Sequence, residues 1–260
     1  MSAQQDQKKA NGNQLDTRKQ KIENSFTQSQ LEYTQVQSIR AAFYDVDGTI
    51  ISSNVLHPYA YYAASDPSIS GKFGRLFKLG VSLPIYALAE RKGRKLFNDM
   101  FYMNYKGLSE DRLYVLGQEI FENFIKSKIF TDMQNLIRES QAQGIKQVLI
   151  TGNLDTVIAP LAEYLGVDDW VANRLEFDQD GLATGKLVPP ILAGPEKAYW
   201  LRSYAKTHAI NLEESHAYAD SASDIPLLCA VGYPVAVNPD SRLKATADAH
   251  NWPIIRTKSI

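Results

Sequence analysis

The segment Ile39-Arg-Ala-Ala-Phe-Tyr44 leads directly into Asp45-Val-Asp-Gly-Thr49. A short apolar run followed by Asp and Gly predicts a buried β-strand that ends in a turn. Two carboxylates at such a strand end can face one crevice, where one can attack an electrophile and the other can move a proton. Their mutual repulsion raises at least one pKa, and a hard divalent cation such as Mg²⁺ relieves it. An ordinary Asp-Gly turn is the alternative interpretation.

The order of the predicted elements indicates an α/β fold. Helix signals dominate residues 54–128, and from residue 131 onward helices alternate with strands at 147–150, 170–172, 216–219 and 234–237, with a hairpin at 174–187. Such alternation predicts a parallel sheet covered by helices on both faces. We therefore expect a Rossmann-like core formed by residues 38–53 and 129–260, with a helical cap, residues 54–128, inserted after the first strand. Residues 1–37 hold nine Gln and few large apolar side chains, which predicts a disordered or loosely ordered tail.

Three further segments follow predicted strands or begin a helix. Because ligands of open parallel sheets bind beyond the carboxyl ends of the strands, these segments are candidates for the site. Thr151-Gly152-Asn153 offers a hydroxyl and an exposed amide that suit a phosphate, although it also fits a turn. Asp220 and Asp224 supply a second acidic pair, and an N-cap is the alternative role of Asp224. Lys197 lies at a helix start, where a lysine favours an anionic partner.

Taken in chain order, the four motifs resemble those of the haloacid dehalogenase superfamily, namely Asp45/Asp47, Thr151, Lys197 and Asp220/Asp224. Residues 218–238, and residues 171–176 followed by Gly181, resemble subfamily IB, the phosphoserine-phosphatase-like branch. The resemblance covers about residues 39–255. It implies a magnesium-dependent phosphatase that acts on a small or lipid-like phosphomonoester through an aspartyl-phosphate intermediate.

The resemblance also implies a role for each motif residue. Asp45 would be the nucleophile and Asp47 the general acid and base. Mg²⁺ would be held by the Asp45 carboxylate, the Asp47 carbonyl and Asp220, with Asp224 orienting this site from behind. The groups implied to bind phosphate are Gly48, Thr49, Thr151, Gly152 and Lys197. Ser52, Ser53 and Asn54 are candidate substrate contacts, as is Asn153, which stands where the branch often has Gly or Ser.

Two other functions stay open on this fold. The acid at position 47 argues against the dehalogenase branch, but phosphomutases keep it, so a phosphotransferase remains an alternative. A non-catalytic binding module is the second alternative, although neither Asp45 nor Asp47 is lost.

Composition excludes several classes of protein. With 28 basic and 29 acidic residues, the chain lacks the basic excess of nucleic-acid-binding proteins, and we expect no nucleic-acid partner. One cysteine, Cys229, cannot build a disulfide framework, and we predict that it is a core thiol. No apolar secretory core precedes the first strand, so we expect a cytoplasmic protein. A phosphorylated small-molecule substrate is what the family resemblance implies.

The cap carries a basic segment. Residues 71–95 contain seven basic residues and one acid, Glu90, around the uncharged stretch 79–89. That stretch is too short to span a membrane. A buried cap helix with a solvated basic face is one interpretation, and peripheral contact with an anionic lipid surface or steering of an anionic substrate is the other.

Overall fold

The computed structural model describes residues 38–66 and 68–257, and the tail predicted at 1–37 lies outside them. Seven strands of the described chain form one sheet in the order β4-β3-β2-β1-β5-β6-β7. All neighbours are parallel except β3 and β4, which form an antiparallel hairpin. The predicted α/β fold is confirmed. The strands are β1 (Ala41–Tyr44), β2 (Lys146–Leu154), β3 (Asp169–Phe177), β4 (Ala183–Val188), β5 (His216–Ala219), β6 (Tyr233–Val237) and β7 (Ile254–Ile255).

Four helices of the segment 54–128 follow β1. They pack through aromatic rings, and Tyr59, Phe101 and Tyr105 are buried with ring centroids 5.0–6.0 Å apart. A wider π-helical turn, Phe121–Ile125, extends the last of them. The inserted helices are α1 (Leu56–Ala64), α2 (Ile69–Lys92), α3 (Arg94–Tyr102) and α4 (Glu110–Ile120).

The inserted helices also pair with the hairpin through the main chain. The Gly107 amide donates to the Ala183 carbonyl and the Ala183 amide donates to the Leu108 carbonyl, both at 2.8 Å. The Glu110 amide donates to the Gly181 carbonyl at 2.9 Å. The insertion is therefore joined to the free side of β4 as well as to its own chain ends.

The remaining helices cover both faces of the sheet. Along β1, Ala42 and Tyr44 join one hydrophobic cluster, whereas Ala41 and Phe43 join the other, as the two-residue period of a strand requires. Helices α5 (Thr131–Ala142) and α6 (Asp155–Leu165) contribute to the first cluster. Helices α7 (Pro195–Thr207), α8 (Ile225–Leu228) and α9 (Ser241–His250) contribute to the second. Burial on both faces explains why β1 is apolar throughout.

Two predictions near the end of the chain are wrong for one reason. The apolar run after Asp224 predicts a helix over residues 224–231, but these residues form a tight turn and then only α8, which ends at Leu228. Gly232 packs so closely on the Glu213 carbonyl that a Cβ there would lie 1.9 Å from its oxygen, which draws the chain away from a helical path. Cys229 therefore lies past the helix and is exposed rather than in the core.

Ser109 and Thr131 are of the residue types that favour helix N-caps, and the sequence predicts a cap at each. Neither side chain caps a helix in the structure. The Thr131 side chain makes no capping hydrogen bond, because α5 begins at Thr131 itself. Ser109 precedes α4 as expected, but its hydroxyl does not cap the helix. In the described ranges, no helix is both long and apolar enough to cross a membrane.

Candidate active site

The carboxyl ends of the central strands bring the predicted motifs together. Asp45 directly follows β1, Thr151 lies in β2 on one side, and Asp220 directly follows β5 on the other. Strand order reverses direction around β1, which is the position where open parallel sheets bind their ligands.

Asp45 is buried, with 4% of its surface exposed. Its amide donates to the Tyr218 carbonyl at 2.9 Å, which fixes the backbone between β1 and β5. Its Oδ1 accepts from Lys197 Nζ at 2.7 Å, and its Oδ2 accepts from the Thr49 hydroxyl at 3.4 Å. The Lys197 ammonium therefore lies directly against this buried carboxylate.

Lys197 reaches Asp45 from the first turn of α7. The same Nζ lies 2.9 Å and 3.0 Å from the two carboxylate oxygens of Asp224. Burial alone would lower the pKa of Lys197, but the charges of Asp224 and Asp45 outweigh burial and raise it. Lys197 is therefore a permanent cation between two buried acids. This contact occupies Asp224, which makes no capping bond to α8.

Asp47 points away from Lys197 and toward Asn153. The Asn153 side-chain amide donates to both carboxylate oxygens of Asp47, at 3.1 Å and 3.3 Å. Removal from solvent, followed by repulsion from Asp45, raises the pKa of Asp47 to about 7, although the Asn153 bonds act in the opposite direction. A carboxyl group that exchanges its proton near neutrality suits general acid and base chemistry.

Gly48 allows the loop to approach Asp220. A Cβ at this position would lie 2.1 Å from Asp220 Oδ2, and the backbone has a φ of +80°. Any side chain would therefore meet both a steric clash and an unfavourable backbone conformation.

Three acids form a cluster whose carboxylate oxygens are the ligands that a hard metal ion prefers. Asp45, Asp220 and Asp224 each offer an oxygen, and these oxygens lie within 4.8 Å of one another. Burial and the charges of Asp45 and Asp224 raise the pKa of Asp220 to about 8, and burial chiefly raises that of Asp224. Three carboxyl groups lie beside one lysine, and a bound cation would favour their ionised forms. An all-oxygen donor set of this kind fits Mg²⁺.

The β2 motif supplies polar groups beside the acids. Thr151 is buried, and its hydroxyl oxygen accepts a hydrogen bond from the Asn153 backbone amide at 3.0 Å. The Gly152 carbonyl accepts from the Tyr102 hydroxyl at 2.7 Å and from the Asn173 side chain at 2.9 Å. Tyr102 belongs to α3 and Asn173 to β3, so these two hydrogen bonds hold the Gly152 backbone from both elements.

Two cavities meet at the acids. The inner one, of about 30 Å³, is lined by Asp45, Asp47 and Lys197. The outer one, of about 560 Å³, is lined by Asp47, Gly48 and Asp220 and by the predicted substrate contacts Ser52, Ser53 and Asn54. Asn153, the other predicted contact, lines neither of them. The outer cavity has the size of a small-molecule site, whereas the inner one holds about one water molecule.

Several groups in the site were absent from the sequence prediction. Arg94 lines both cavities, and its charge lowers the pKa of Asp47. Phe97 and Asn98 line the inner cavity from α3, and the Asn98 Nδ2 is buried without a hydrogen-bond partner. The basic run 91–95 was the available signal for Arg94. That run does not show which of its members faces the acids.

Comparison with known proteins gives one family. Residues 42–228 match the sequence model of the haloacid dehalogenase-like hydrolases. Phosphoserine phosphatase SerB1 of Mycobacterium tuberculosis is 34% identical over 223 residues, which cover 82% of this chain and 70% of that protein. A histidinol-phosphatase of Neisseria meningitidis is 27% identical, covering 84% and 98%. A substrate-bound phosphoserine phosphatase structure superposes with a TM-score of 0.63 at 21% identity, covering 84% and 93%, and shows the same fold.

Proposed function

Because this chain belongs to the haloacid dehalogenase-like hydrolases and is a phosphatase, we propose that it uses Mg²⁺ and an aspartyl-phosphate on Asp45 to hydrolyse a small or lipid-like phosphomonoester. One observation carries the proposal. The Asp45 carboxylate accepts from Lys197 Nζ at 2.7 Å, whereas Asp47, two residues away, is hydrogen-bonded to Asn153 and has a pKa raised to about 7. Two carboxyls with such different environments suit two different roles.

In the first step, a carboxylate oxygen of Asp45 attacks phosphorus as the bond from phosphorus to the ester oxygen breaks. Protonated Asp47 gives its proton to the leaving oxygen, which departs as an alcohol. In the second step, ionised Asp47 takes a proton from water, and that water oxygen attacks phosphorus. The bond from phosphorus to Asp45 then breaks, which releases inorganic phosphate and restores both carboxyl groups.

The transferred phosphoryl group carries negative charge that the site must offset. Lys197 is suited to this, and we assign phosphate contacts also to Thr151, Thr49 and the amides around Gly48 and Gly152. The Asp45 and Asp220 carboxylates and the Asp47 carbonyl would hold Mg²⁺. When bound, the ion would neutralise charge on the phosphoryl oxygens. Asp224 positions Lys197 through the contacts at 2.9 Å and 3.0 Å.

The substrate is proposed as a class. Two relatives carry the names of different substrates, phosphoserine and histidinol phosphate, so the names do not select one compound. Ser52, Ser53 and Asn54 border the outer cavity and are proposed to contact the organic part of the substrate. We further propose that residues 54–128 act as the cap that selects it and that residues 38–53 and 129–260 form the catalytic core.

The test measures phosphate release from a panel of phosphomonoesters, with and without Mg²⁺. The panel includes phosphoserine, histidinol phosphate, phosphocholine, glycerol phosphate and lysophosphatidate. We expect Mg²⁺-dependent turnover by the parent and none by Asp45→Asn, whereas the exposed control Asp111→Asn keeps full activity. Full turnover by Asp45→Asn would reject the covalent mechanism. Equal rates in Mg²⁺ and in EDTA would reject the metal.

A further inference from the structure

Helix α2 presents a row of large apolar side chains to solvent. Ile69, Phe73, Phe77, Val81 and Ile85 follow one another at intervals of four residues, and all are exposed, Phe73 by 72% and Phe77 by 73%. On the same helix, a Cβ built on Gly74 or Gly80 would have no atom of the described chain within 4 Å. At 1.5 Å per residue, the row is about 24 Å long.

The opposite side of α2 packs against the rest of the protein. Leu79, Tyr86 and Ala89 are buried, and the Tyr86 ring meets Phe101 edge-on at 5.8 Å. Arg75 is paired with Asp66 at 3.2 Å. One side of α2 is therefore packed against the protein, and this packing holds the apolar row on the other side in a defined position.

Basic side chains border this row. Lys78 is exposed along it, and Arg91, Lys92 and Lys95 are exposed at its carboxyl end. Aromatic and aliphatic side chains next to Lys and Arg are the features of a helix that lies in the boundary of an anionic bilayer. We propose that α2 docks this protein peripherally on membranes that contain anionic lipids, with the apolar row entering the lipid boundary.

The charges favour a bilayer over a second copy of the chain. A second copy meeting through the same face would bring no acidic side chain to match its bases, because among the described side chains the exposed charged residues that border the row, Lys78, Arg91, Lys92 and Lys95, are all basic. An anionic lipid surface supplies the missing negative charge across the whole face.

The docking surface ends beside the active site. Arg91, Arg94 and Lys95 line a cavity of about 1490 Å³ that also reaches Gly194 and Ser223, and the last two residues line the inner cavity beside Asp45. The basic end of α2 is thus the part of the surface next to the catalytic acids. The docking inference itself goes beyond the proposed function and does not depend on it.

The experiment is co-sedimentation of the full chain with vesicles of phosphatidylcholine, with or without phosphatidylserine. We expect binding to the phosphatidylserine vesicles. Phe73→Ser/Phe77→Ser should lower it at least about tenfold, because two large apolar side chains no longer enter the lipid. Its matched control is Tyr114→Ser/Val115→Ser, two exposed apolar residues on α4, which should bind like the parent.

A second pair of variants tests the charges. Arg91→Gln/Lys92→Gln/Lys95→Gln should lower binding about 100-fold, since each basic residue near an anionic surface contributes roughly fivefold. The control, with Lys186, Arg202 and Lys206 each changed to Gln, removes three exposed bases elsewhere and should keep binding.

Three results would overturn the proposal. These are no binding of the parent to phosphatidylserine vesicles, equal losses in test and control variants, or a parent dimer that Phe73→Ser/Phe77→Ser converts to a monomer. Turnover of p-nitrophenyl phosphate is measured in every variant. Unchanged turnover in Phe73→Ser/Phe77→Ser shows that the fold is intact, so a failure of docking is distinguishable from a failure of the proposed function.

Discussion

Replacing Lys197 with Met removes the cation between Asp45 and Asp224 and keeps most of the side-chain volume. Both acids are buried, and each lies within 3.0 Å of the lysine nitrogen. A hydrogen bond to a charged partner contributes roughly 1.5–3 kcal/mol, and two such bonds are lost. Loss of one partner from a buried ion pair costs about 3–5 kcal/mol. We therefore expect the free energy of unfolding, measured by urea denaturation in EDTA, to fall by about 3–5 kcal/mol.

The same variant should lose activity for a separate reason. Without Lys197, the phosphoryl oxygens lose a donor that strengthens as charge develops on them, so kcat should fall roughly 100- to 1000-fold at saturating Mg²⁺. Lys206→Met, an exposed change on the same helix, is the control and should match the parent in both assays.

A double variant separates the two effects. In Lys197→Met/Asp224→Asn, one of the two stranded carboxylates is neutral, so the unfolding penalty should be about 1–3 kcal/mol smaller than the sum of the single penalties. Activity should stay low. Additive penalties, or a Lys197→Met protein within about 1 kcal/mol of the Lys206→Met control, would refute the assignment of Lys197 as the charge that stabilises this cluster.

Three further changes test individual contacts. Gly48→Ala places a Cβ 2.1 Å from Asp220 Oδ2, so Mg²⁺ affinity by calorimetry should weaken about tenfold or more, and unchanged affinity would count against Asp220 as a ligand. Asn153→Ala removes both donors to Asp47, and kcat should fall at least about tenfold as the acid loses its orientation; an unaltered kcat would deny Asn153 this role. Tyr102→Phe removes the 2.7 Å bond to the Gly152 carbonyl, and urea denaturation should show a loss of about 1 kcal/mol, against none for the exposed Tyr164→Phe.

The sheet was predictable because its signals are local. An uninterrupted apolar run precedes Asp45, and the motif residues stand where predicted strands end. Once β1 is central, topology alone brings Lys197 to Asp45, although 152 residues separate them. From the sequence, Asp224 could either cap a helix or support the acidic site. The contact between Asp224 and Lys197 decides between these two roles.

Other features depend on contacts between distant segments. Residues 91–95 contain four basic residues, and nothing in their immediate sequence distinguishes one from another. In the structure the chain turns at Gly93, and Arg94 lines the inner cavity together with Asp47. Asn153 is predicted to contact the substrate from its place in the motif, but the sequence does not show the hydrogen bonds that its side-chain amide makes to Asp47. Cys229 was assigned to the core because its neighbours are apolar, but α8 is too short to carry it there.

The main-chain pairing of residues 107–110 with the hairpin limits how this protein can be re-engineered. β4 is the last strand on its side of the sheet, and the insertion satisfies groups at Gly181 and Ala183 that would otherwise stay open. A core from which residues 54–128 are excised would present an unpaired strand edge, a template for aggregation. If residues 54–128 select the substrate as we propose, their exchange between relatives will require a replacement segment that also pairs with Gly181 and Ala183.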